Sequence, residues 1–239
     1  MDFIFTQLMQ NKSDNKNTFI VIAAYNEDAV IRDVVTELVN ENYHVVVVDD
    51  GSANLQKNAL SNLPITVLRH AVNLGQGAAL RTGIKYAVAA GAEYLVTFDA
   101  DGQHAAADIR QLLTPLQTNE ADITLGSRFL TGSSHNMPLR KKIILYSARY
   151  INFIFTGLFL SDAHNGLRAM NRKAATSIQI YSNGMAHATE ILYYIKKAGI
   201  KYLEIPVNVR YTKYSIKKGQ PLTNSIKIFF DLLAFKIFK

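Results

Sequence analysis

The sequence predicts an α/β protein with a mostly parallel β-sheet that helices cover on both faces. Short apolar, β-branched runs such as FIVIAA (19–24) and HVVVVDDGS (44–52) have the composition of buried strands. Helical patterns with apolar residues on one side, such as residues 29–40, separate these runs. Strands that alternate with helices form βαβ units, in which the strands run parallel and the helices cover the sheet.

The remaining elements follow in order along the chain. In the first half the pattern predicts a strand at 65–70, a glycine-rich turn and helix at 73–91, and a strand at 94–98. In the second half it predicts a strand and turn at 122–129, a basic-fronted helix at 137–155, a loop and short strand at 161–170, a helix at 186–199 and a strand at 201–211. Pro206 indicates that the last strand lies at an edge or a bend of the sheet.

Length and composition describe an ordinary globular protein with a basic balance. The chain has 239 residues, of which 49% are hydrophobic, and its formal net charge is +7. This length suits one large α/β domain or two small ones. We expect one catalytic domain, residues 18–222, preceded by a tail (1–17) and followed by an amphipathic helix (223–239). The chain has no cysteine, which excludes disulfides, thiolate metal sites and a cysteine nucleophile. The positive charge favours nucleotides, nucleic acid or an anionic membrane face as partners.

Acidic residues gather at the ends of three predicted strands. The segments AYNE, VDDGS and FDADGQ bring Glu27, Asp49, Asp50, Asp99 and Asp101 to the carboxyl ends, beyond which parallel sheets bind ligands. Two carboxylates one residue apart in an extended segment point to the same side and repel each other, and a divalent cation with oxygen ligands relieves that repulsion. A solvated turn explains one such tip easily and three poorly. We therefore expect a nucleotide or metal site at this edge.

Seven motifs in a fixed order carry a family resemblance. They are VIAAYNE, VVDDGS, NLGQGAALRTG, TFDADGQH, LGSRF, DAHNGLRAM and EIPVNVRY with KKGQ, from about residue 19 to 220. With them the chain resembles the family-2 glycosyltransferases of GT-A fold, and most of all the dolichol-phosphate mannose synthase and bacterial polyprenyl-phosphate glycosyltransferase group. It departs from the family pattern at Ala23 or Ala24 (often proline), at Gln76 (often lysine) and in HNGLR (usually TSGFR). These departures loosen any prediction of the donor sugar.

The resemblance implies a metal-dependent, inverting transferase that moves a sugar from a GDP- or UDP-sugar to a polyprenyl phosphate. It implies catalytic roles for Asp99, Asp101, Asp162, Arg128 and Arg210. It places Mg²⁺ or Mn²⁺ on Asp99, Asp101 and Gln103, and the nucleotide sugar on Ala24, Tyr25, Glu27, Asp49, Asp50 and Asp99. The resemblance further implies that the acceptor phosphate is bound by Arg128, Arg140, Arg210 and Lys217.

The nature of the acceptor decides whether a general base is needed. A phosphate monoester has a second pKa near 6, so it is already a nucleophilic dianion near neutral pH and needs cations to hold it. A saccharide hydroxyl needs a base, and Asp162 is then the candidate. Asp162 has two further possible roles, orienting the acceptor or binding a basic residue.

Several alternatives accompany this interpretation. A family-2 transferase that uses a saccharide hydroxyl in cell-surface polysaccharide synthesis is the second enzyme hypothesis, and a nucleotide- or membrane-binding module is the non-enzymatic one. A Rossmann dehydrogenase is excluded because no G-x-G-x-x-G follows the first strand, and a nucleic-acid binder leaves the acidic strand tips unexplained. The GQG turn (75–77) either presents N–H groups to a phosphate or is a packing turn.

The expected location is cytoplasmic and peripheral to the membrane. The segment 223–239 mixes a broad apolar face with lysines, which suits an anionic lipid surface. The competing interpretation is that this helix packs on the domain or on a small membrane partner protein.

Overall fold

The structure, a computed structural model, describes residues 14–53, 59–130 and 139–210. Seven strands in this part of the chain form one sheet in the order β3-β2-β1-β4-β6-β5-β7. The strands are β1 (Thr18–Ala24), β2 (His44–Asp49), β3 (Thr66–Arg69), β4 (Tyr94–Asp99), β5 (Ile123–Ser127), β6 (Arg168–Asn171) and β7 (Tyr202–Pro206). Only β6 runs antiparallel to its neighbours β4 and β5. The predicted, mostly parallel sheet is confirmed.

Six α-helices and one short 3₁₀ helix (Asp14–Asn17) accompany the described strands. The α-helices are α1 (Ile31–Asn40), α2 (Gln76–Ala89), α3 (Asp108–Gln117), α4 (Leu139–Thr156), α5 (Arg172–Ser177) and α6 (His187–Lys197). The sequence pattern did not predict α3 and α5. Helix α3 was not predicted because it contains Pro115, and a proline usually interrupts a helix. Here Pro115 lies close to the end of the helix. The short α5 has six residues, too few to show a helical period.

The helices pack on both faces of the sheet and form two apolar layers. On one face α1 and α3 bury aliphatic side chains such as Ile31 and Ile109 against Ile22 and Phe98 of the central strands. On the other face α2 and α6 pack against Leu95 and its neighbours. Gly83 brings α2 close to the sheet, since a Cβ there would lie 2.3 Å from Val21 Cγ1.

The strand directions bring the functional segments to one edge of the sheet. In β1, β2 and β4, the register pairs Ala24 with Asp49 and Ala23 with Asp99. Strands β5 and β7 end at the same edge, and the antiparallel β6 begins there. Strand β7 ends at Pro206 on the rim of the sheet, earlier than predicted. The Val207 N–H still donates to the Ser127 carbonyl of β5 at 3.0 Å, so the N–H that Pro206 lacks would face away from β5, where an edge strand tolerates proline. The predicted meeting of the strand tips is therefore confirmed.

Candidate active site

The tip of β4 holds Asp99 in a confined position. Its Oδ2 accepts a hydrogen bond from His104 Nε2 at 3.2 Å. The carboxylate also lies against the backbone of Gly166, where a Cβ would come within 2.4 Å of Oδ2. The Thr97 hydroxyl fixes this contact by donating to the Gly166 carbonyl at 2.7 Å. Glycine is required at 166 because any side chain there would displace the Asp99 carboxylate.

The charges around Asp99 keep it ionised. Burial acts to raise its pKa, but the hydrogen bond from His104 and the nearby charges of His104, Arg168 and Arg128 outweigh burial. The pKa of Asp99 therefore lies below its usual range, and the group carries a fixed negative charge at neutral pH.

Asp101 has the opposite environment. Its Oδ1 accepts the backbone N–H of Gln103 at 3.0 Å, which folds the segment into a tight turn. Burial, followed by the charge of Asp99, raises the pKa of Asp101 to about 6, and Glu27 at the β1 tip adds to this effect. Three carboxylates from two strand tips therefore share one region, and the positive charges that keep Asp99 ionised do not offset burial and repulsion at Asp101.

The side chains present suit a divalent hard cation that also binds substrate oxygens. Within residues 14–53, 59–130 and 139–210, no group of three or more His, Asp or Glu side chains is arranged to enclose a metal ion. Mg²⁺ is commonly held by one or two carboxylates, with waters and substrate phosphates completing its shell. Asp99 and Asp101 match that pattern, and the unbalanced charge at Asp101 is the observation that favours a cation.

The tip of β2 contains two buried aspartates with different partners. Asp49 accepts the Ser52 N–H through Oδ1 at 3.1 Å, and its Oδ2 lies 3.7 Å from Arg69 Nε. Asp50 binds His70 Nδ1 at 2.7 Å, and its two oxygens accept the N–H groups of Leu74 and Gly75 at 3.0 and 2.7 Å. This geometry gives Asp50 the role of holding the loop before α2, and its contact with the nucleotide stays a prediction.

The tip of β1 is joined to the loop after β2. Asn26, which has a positive φ of 53°, donates its backbone N–H to Ser52 Oγ at 2.9 Å. Its side-chain Oδ1 accepts the Ala53 N–H at 3.1 Å. The Ala24 carbonyl accepts the Asp50 N–H at 2.9 Å. Tyr25 stands 45% exposed between these fixed residues, which is a suitable position for contact with a ligand.

The tip of β5 carries a buried ion pair. Arg128 donates to Asp162 three times, from its backbone N at 3.2 Å, from Nε at 2.5 Å and from Nη2 at 3.2 Å. The side chains are 8% and 1% exposed, so the pair lies almost wholly out of water. Of the roles considered from the sequence, binding a basic residue is the one that the geometry of Asp162 shows.

Glu204 of β7 holds the segment that carries Asp162. It accepts the Ser161 N–H at 2.8 Å, the Ser161 hydroxyl at 2.5 Å and the Asp162 N–H at 3.2 Å. The Ser161 hydroxyl lies 2.6 Å from that of Ser127 in β5. The orientation of the Arg128–Asp162 pair is therefore set by contacts from two strands.

Three residues that the site predictions omitted line the region behind Asp99. They are Arg168 at the start of β6, His164 in the preceding loop and His187 at the start of α6. Burial lowers the pKa of Arg168 to about 10, and the charges of Asp99 and Asp162 act against this shift. Burial also lowers the pKa values of His164 and His187 to about 4, so both rings are neutral at pH 7. His164 and Arg168 begin and end the HNGLR motif and so had a signal in the sequence, whereas His187 had none.

The GQG turn does not present its N–H groups to a ligand. The N–H groups of Gly77 and Ala78 both donate to the Asn183 carbonyl, at 2.8 and 3.3 Å. A Cβ at Gly75 would lie 2.3 Å from that same oxygen. The phosphate-binding interpretation of this turn is wrong, because the loop before α6 occupies the start of α2.

The remaining predicted cations are placed only in part. The Arg210 N–H donates to the Gln103 carbonyl at 2.8 Å, which puts Arg210 beside the β4 tip. Arg140 lies in the first turn of α4, and its side chain is not among those that the structure describes. Lys217 and the predicted helix 223–239 lie outside the described residues.

Comparison with known proteins agrees with this geometry. The model of the glycosyl transferase family 2 matches residues 19–178. An uncharacterized protein of Methanocaldococcus jannaschii is 35% identical over 95% of this chain and 96% of its own length. The UDP-N-acetylglucosamine–dolichyl-phosphate N-acetylglucosaminyltransferase of Methanococcus voltae is 34% identical over 94% of this chain and 98% of its own length.

A solved structure shares the fold. Glucosyl-3-phosphoglycerate synthase of Mycobacterium tuberculosis, crystallised with Mn²⁺ and UDP-glucose, superposes with a TM-score of 0.68 at 18% identity. The match covers 96% of this chain and 80% of that one. The predicted GT-A fold is confirmed.

Proposed function

The chain belongs to glycosyl transferase family 2, and on that premise we propose that it transfers a sugar from a nucleotide sugar to a polyprenyl phosphate with the help of Mg²⁺ or Mn²⁺. The observation that carries the proposal is the Arg128–Asp162 pair. It bears on the acceptor, the part of the reaction that distinguishes this function from the alternative with a saccharide hydroxyl.

Asp162 is poorly suited to be a general base. A base must take a proton, yet the Asp162 carboxylate already accepts two hydrogen bonds from the permanently charged Arg128 guanidinium and a third from the Arg128 backbone N–H. An acceptor hydroxyl would find no assistance there, whereas a phosphate dianion needs none. Arg128, held in place by Asp162, supplies positive charge beside the predicted acceptor position. The geometry therefore supports a phosphate acceptor.

The donor would bind at the tips of β1, β2 and β4. Asp101 and Asp99, with the amide oxygen of Gln103, would hold the divalent cation, which when bound neutralises charge on the departing diphosphate. The exposed Tyr25 ring and the buried Asp49 carboxylate would contact the nucleoside. A UDP-sugar is the first donor to test, with N-acetylglucosamine as the sugar, because the M. voltae relative is named for that donor.

The lipid would approach along α4. This helix exposes several large apolar side chains, and Tyr150 and Ile154 are 62% and 67% exposed. The Tyr146 ring of the same helix lies 5.0 Å from the Phe129 ring, which follows Arg128 in the chain. An apolar surface would thus lead directly to the buried ion pair. No helix in the described parts of the chain is both long and apolar enough to span a membrane.

We expect α4 to contribute to peripheral membrane binding. A double variant, Tyr150→Ser with Ile154→Ser, should bind vesicles of anionic lipid about tenfold more weakly than wild type, because two exposed apolar side chains no longer enter the interface. The measurement is co-sedimentation over a range of lipid concentrations. Val72→Ser is the matched control, since Val72 is 61% exposed in the loop after β3, which is at the other end of the strand order from β5 and β7. Unchanged binding by the double variant would leave the segment 223–239 as the anchor.

The proposed reaction is tested with a panel of donors and acceptors. The protein is incubated with UDP-N-acetylglucosamine, UDP-glucose or GDP-mannose, with Mg²⁺ or Mn²⁺, and with a polyprenyl phosphate or an oligosaccharide. Mass spectrometry of the lipid and oligosaccharide fractions is expected to show sugar transferred to the polyprenyl phosphate and none transferred to the oligosaccharide. A glycosylated oligosaccharide would instead support the second enzyme hypothesis, and nucleotide binding without turnover on any acceptor would support a binding module.

A further inference from the structure

One ring nitrogen of His187, Nε2, has no hydrogen-bond partner among the described residues. Its Nδ1 lies 2.8 Å from the Gly184 carbonyl oxygen, and because a carbonyl only accepts, Nδ1 carries the ring proton. Burial holds the pKa of the ring near 4, so Nε2 is an unprotonated acceptor at neutral pH. No described residue donates a hydrogen bond to this nitrogen in the structure. The side chain is 5% exposed, yet Nε2 is not one of the fully buried atoms without a partner, so a ligand can reach this nitrogen from the site.

A second open group lies on the loop that packs against Asp99. Asn165 is 3% exposed, and its Oδ1 accepts the Leu167 N–H at 3.0 Å, which fixes the orientation of the amide. Its Nδ2 is buried and has no hydrogen-bond partner in the described structure. Asn165 adjoins Gly166, whose backbone touches the Asp99 carboxylate. His187 also lies within electrostatic reach of Asp99, Arg168 and His164. A donor and an acceptor without partners in the described structure therefore lie in the same region, the donor next to the residue that touches Asp99 and the acceptor within electrostatic reach of it.

We propose that His187 and Asn165 bind the transferred sugar, with His187 Nε2 accepting a hydrogen bond from a sugar hydroxyl or amide N–H and Asn165 Nδ2 donating one. This inference rests on the proposed function, because it assumes that a nucleotide sugar occupies the site beside Asp99. It extends that function by naming residues that select the sugar rather than the nucleotide.

The chemistry of the two groups favours a sugar over the other occupants. A phosphate oxygen offers no proton to His187 Nε2, and the nearby positive charge of Arg168 disfavours a metal ion there. Sugar hydroxyls both donate and accept, which matches one acceptor and one donor. A buried water has the same capacity, and the experiment separates the two.

Two substitutions at His187 separate its two nitrogens. His187→Asn keeps a donor near the Nδ1 position for Gly184 and removes the acceptor at Nε2. His187→Gln places an amide oxygen near the Nε2 position and gives up the bond to Gly184. A sugar contact predicts that the Asn variant is the impaired one, and a purely structural role predicts the reverse.

The test measures binding of UDP and of UDP-N-acetylglucosamine by calorimetry in the presence of Mg²⁺, with GDP and GDP-mannose as a second pair. His187→Asn is expected to bind the free nucleotide as wild type does and the nucleotide sugar about tenfold more weakly, the usual effect of one hydrogen bond. His187→Gln is expected to stay within about threefold of wild type for both. Equal affinity of the Asn variant and wild type for the sugar nucleotide would overturn the inference, and so would an equal loss for nucleotide and nucleotide sugar.

A measurement on the wild-type protein covers the case in which His187→Asn does not fold. With ¹⁵N-labelled histidine, the Nε2 signal of His187 is expected to shift when UDP-N-acetylglucosamine is added and to stay in place with UDP. The same shift with both ligands would assign Nε2 to a water or to the nucleotide. Failure of wild type to bind any nucleotide sugar would contradict the proposed function itself, whereas tight binding that ignores His187 would contradict only this inference.

Discussion

Asp101→Asn is expected to reduce sugar transfer by about a thousandfold or more while the protein stays folded. The Asp101 carboxylate is the less neutralised of the two at the β4 tip, so it offers the most to a bound cation. Asparagine keeps an oxygen for the Gln103 N–H, which preserves the turn. The melting temperature should equal or exceed that of wild type, because the substitution removes a charge that burial and Asp99 both disfavour.

The comparison requires donor turnover with Mg²⁺ and with Mn²⁺ beside a thermal melt of each protein. Asp33→Asn is the matched control, since Asp33 lies on the exposed side of α1 and loses the same charge. The control should transfer sugar at the wild-type rate. Wild-type turnover by Asp101→Asn would remove Asp101 from the metal site and leave Asp99 as the main candidate.

Local sequence patterns predicted the elements and the edge at which they meet. Apolar β-branched runs fix the strands, and parallel strands bring their carboxyl ends together, so the neighbourhood of Ala24, Asp49 and Asp99 followed without knowledge of any contact. Pro206 marked a rim strand for an equally local reason, its missing N–H. Such inferences succeed because each depends on one segment and on the geometry of the sheet.

The partners of the site residues depend on long-range contacts and were not predictable in this way. Arg128 and Asp162 are separated by 34 residues, and nothing in either segment shows that one neutralises the other. Asp50 looked available for a ligand until the loop at Leu74 and Gly75 was seen to use both its oxygens. His187 lies on a helix whose pattern indicates burial alone. The sequence shows which polar side chains are present, and the fold determines which of them already have partners within the protein.

Asp162→Asn is expected to impair both the fold and the use of the acceptor. The substitution leaves the Arg128 guanidinium buried without its counter-charge, which costs about 3–5 kcal/mol of unfolding free energy when one partner of such a pair is lost. Arg128 would also lose its fixed orientation, so the KM for polyprenyl phosphate should rise about tenfold or more. The dependence of kcat on pH should keep its wild-type shape, because no base has been removed.

A double variant separates stability from function. Arg128→Met with Asp162→Leu replaces the pair by apolar side chains and should recover most of the lost unfolding free energy, since buried ion pairs are often replaceable by well-packed hydrophobic residues. It should still fail to use polyprenyl phosphate, because no cation remains at the β5 tip. Denaturant unfolding and acceptor kinetics provide the two measurements. If Asp162→Asn instead lowers kcat about a hundredfold or more at unchanged KM, and the acidic limb of its pH profile disappears, Asp162 is the general base. The acceptor would then be a hydroxyl, and the phosphate assignment that rests on this ion pair would fall.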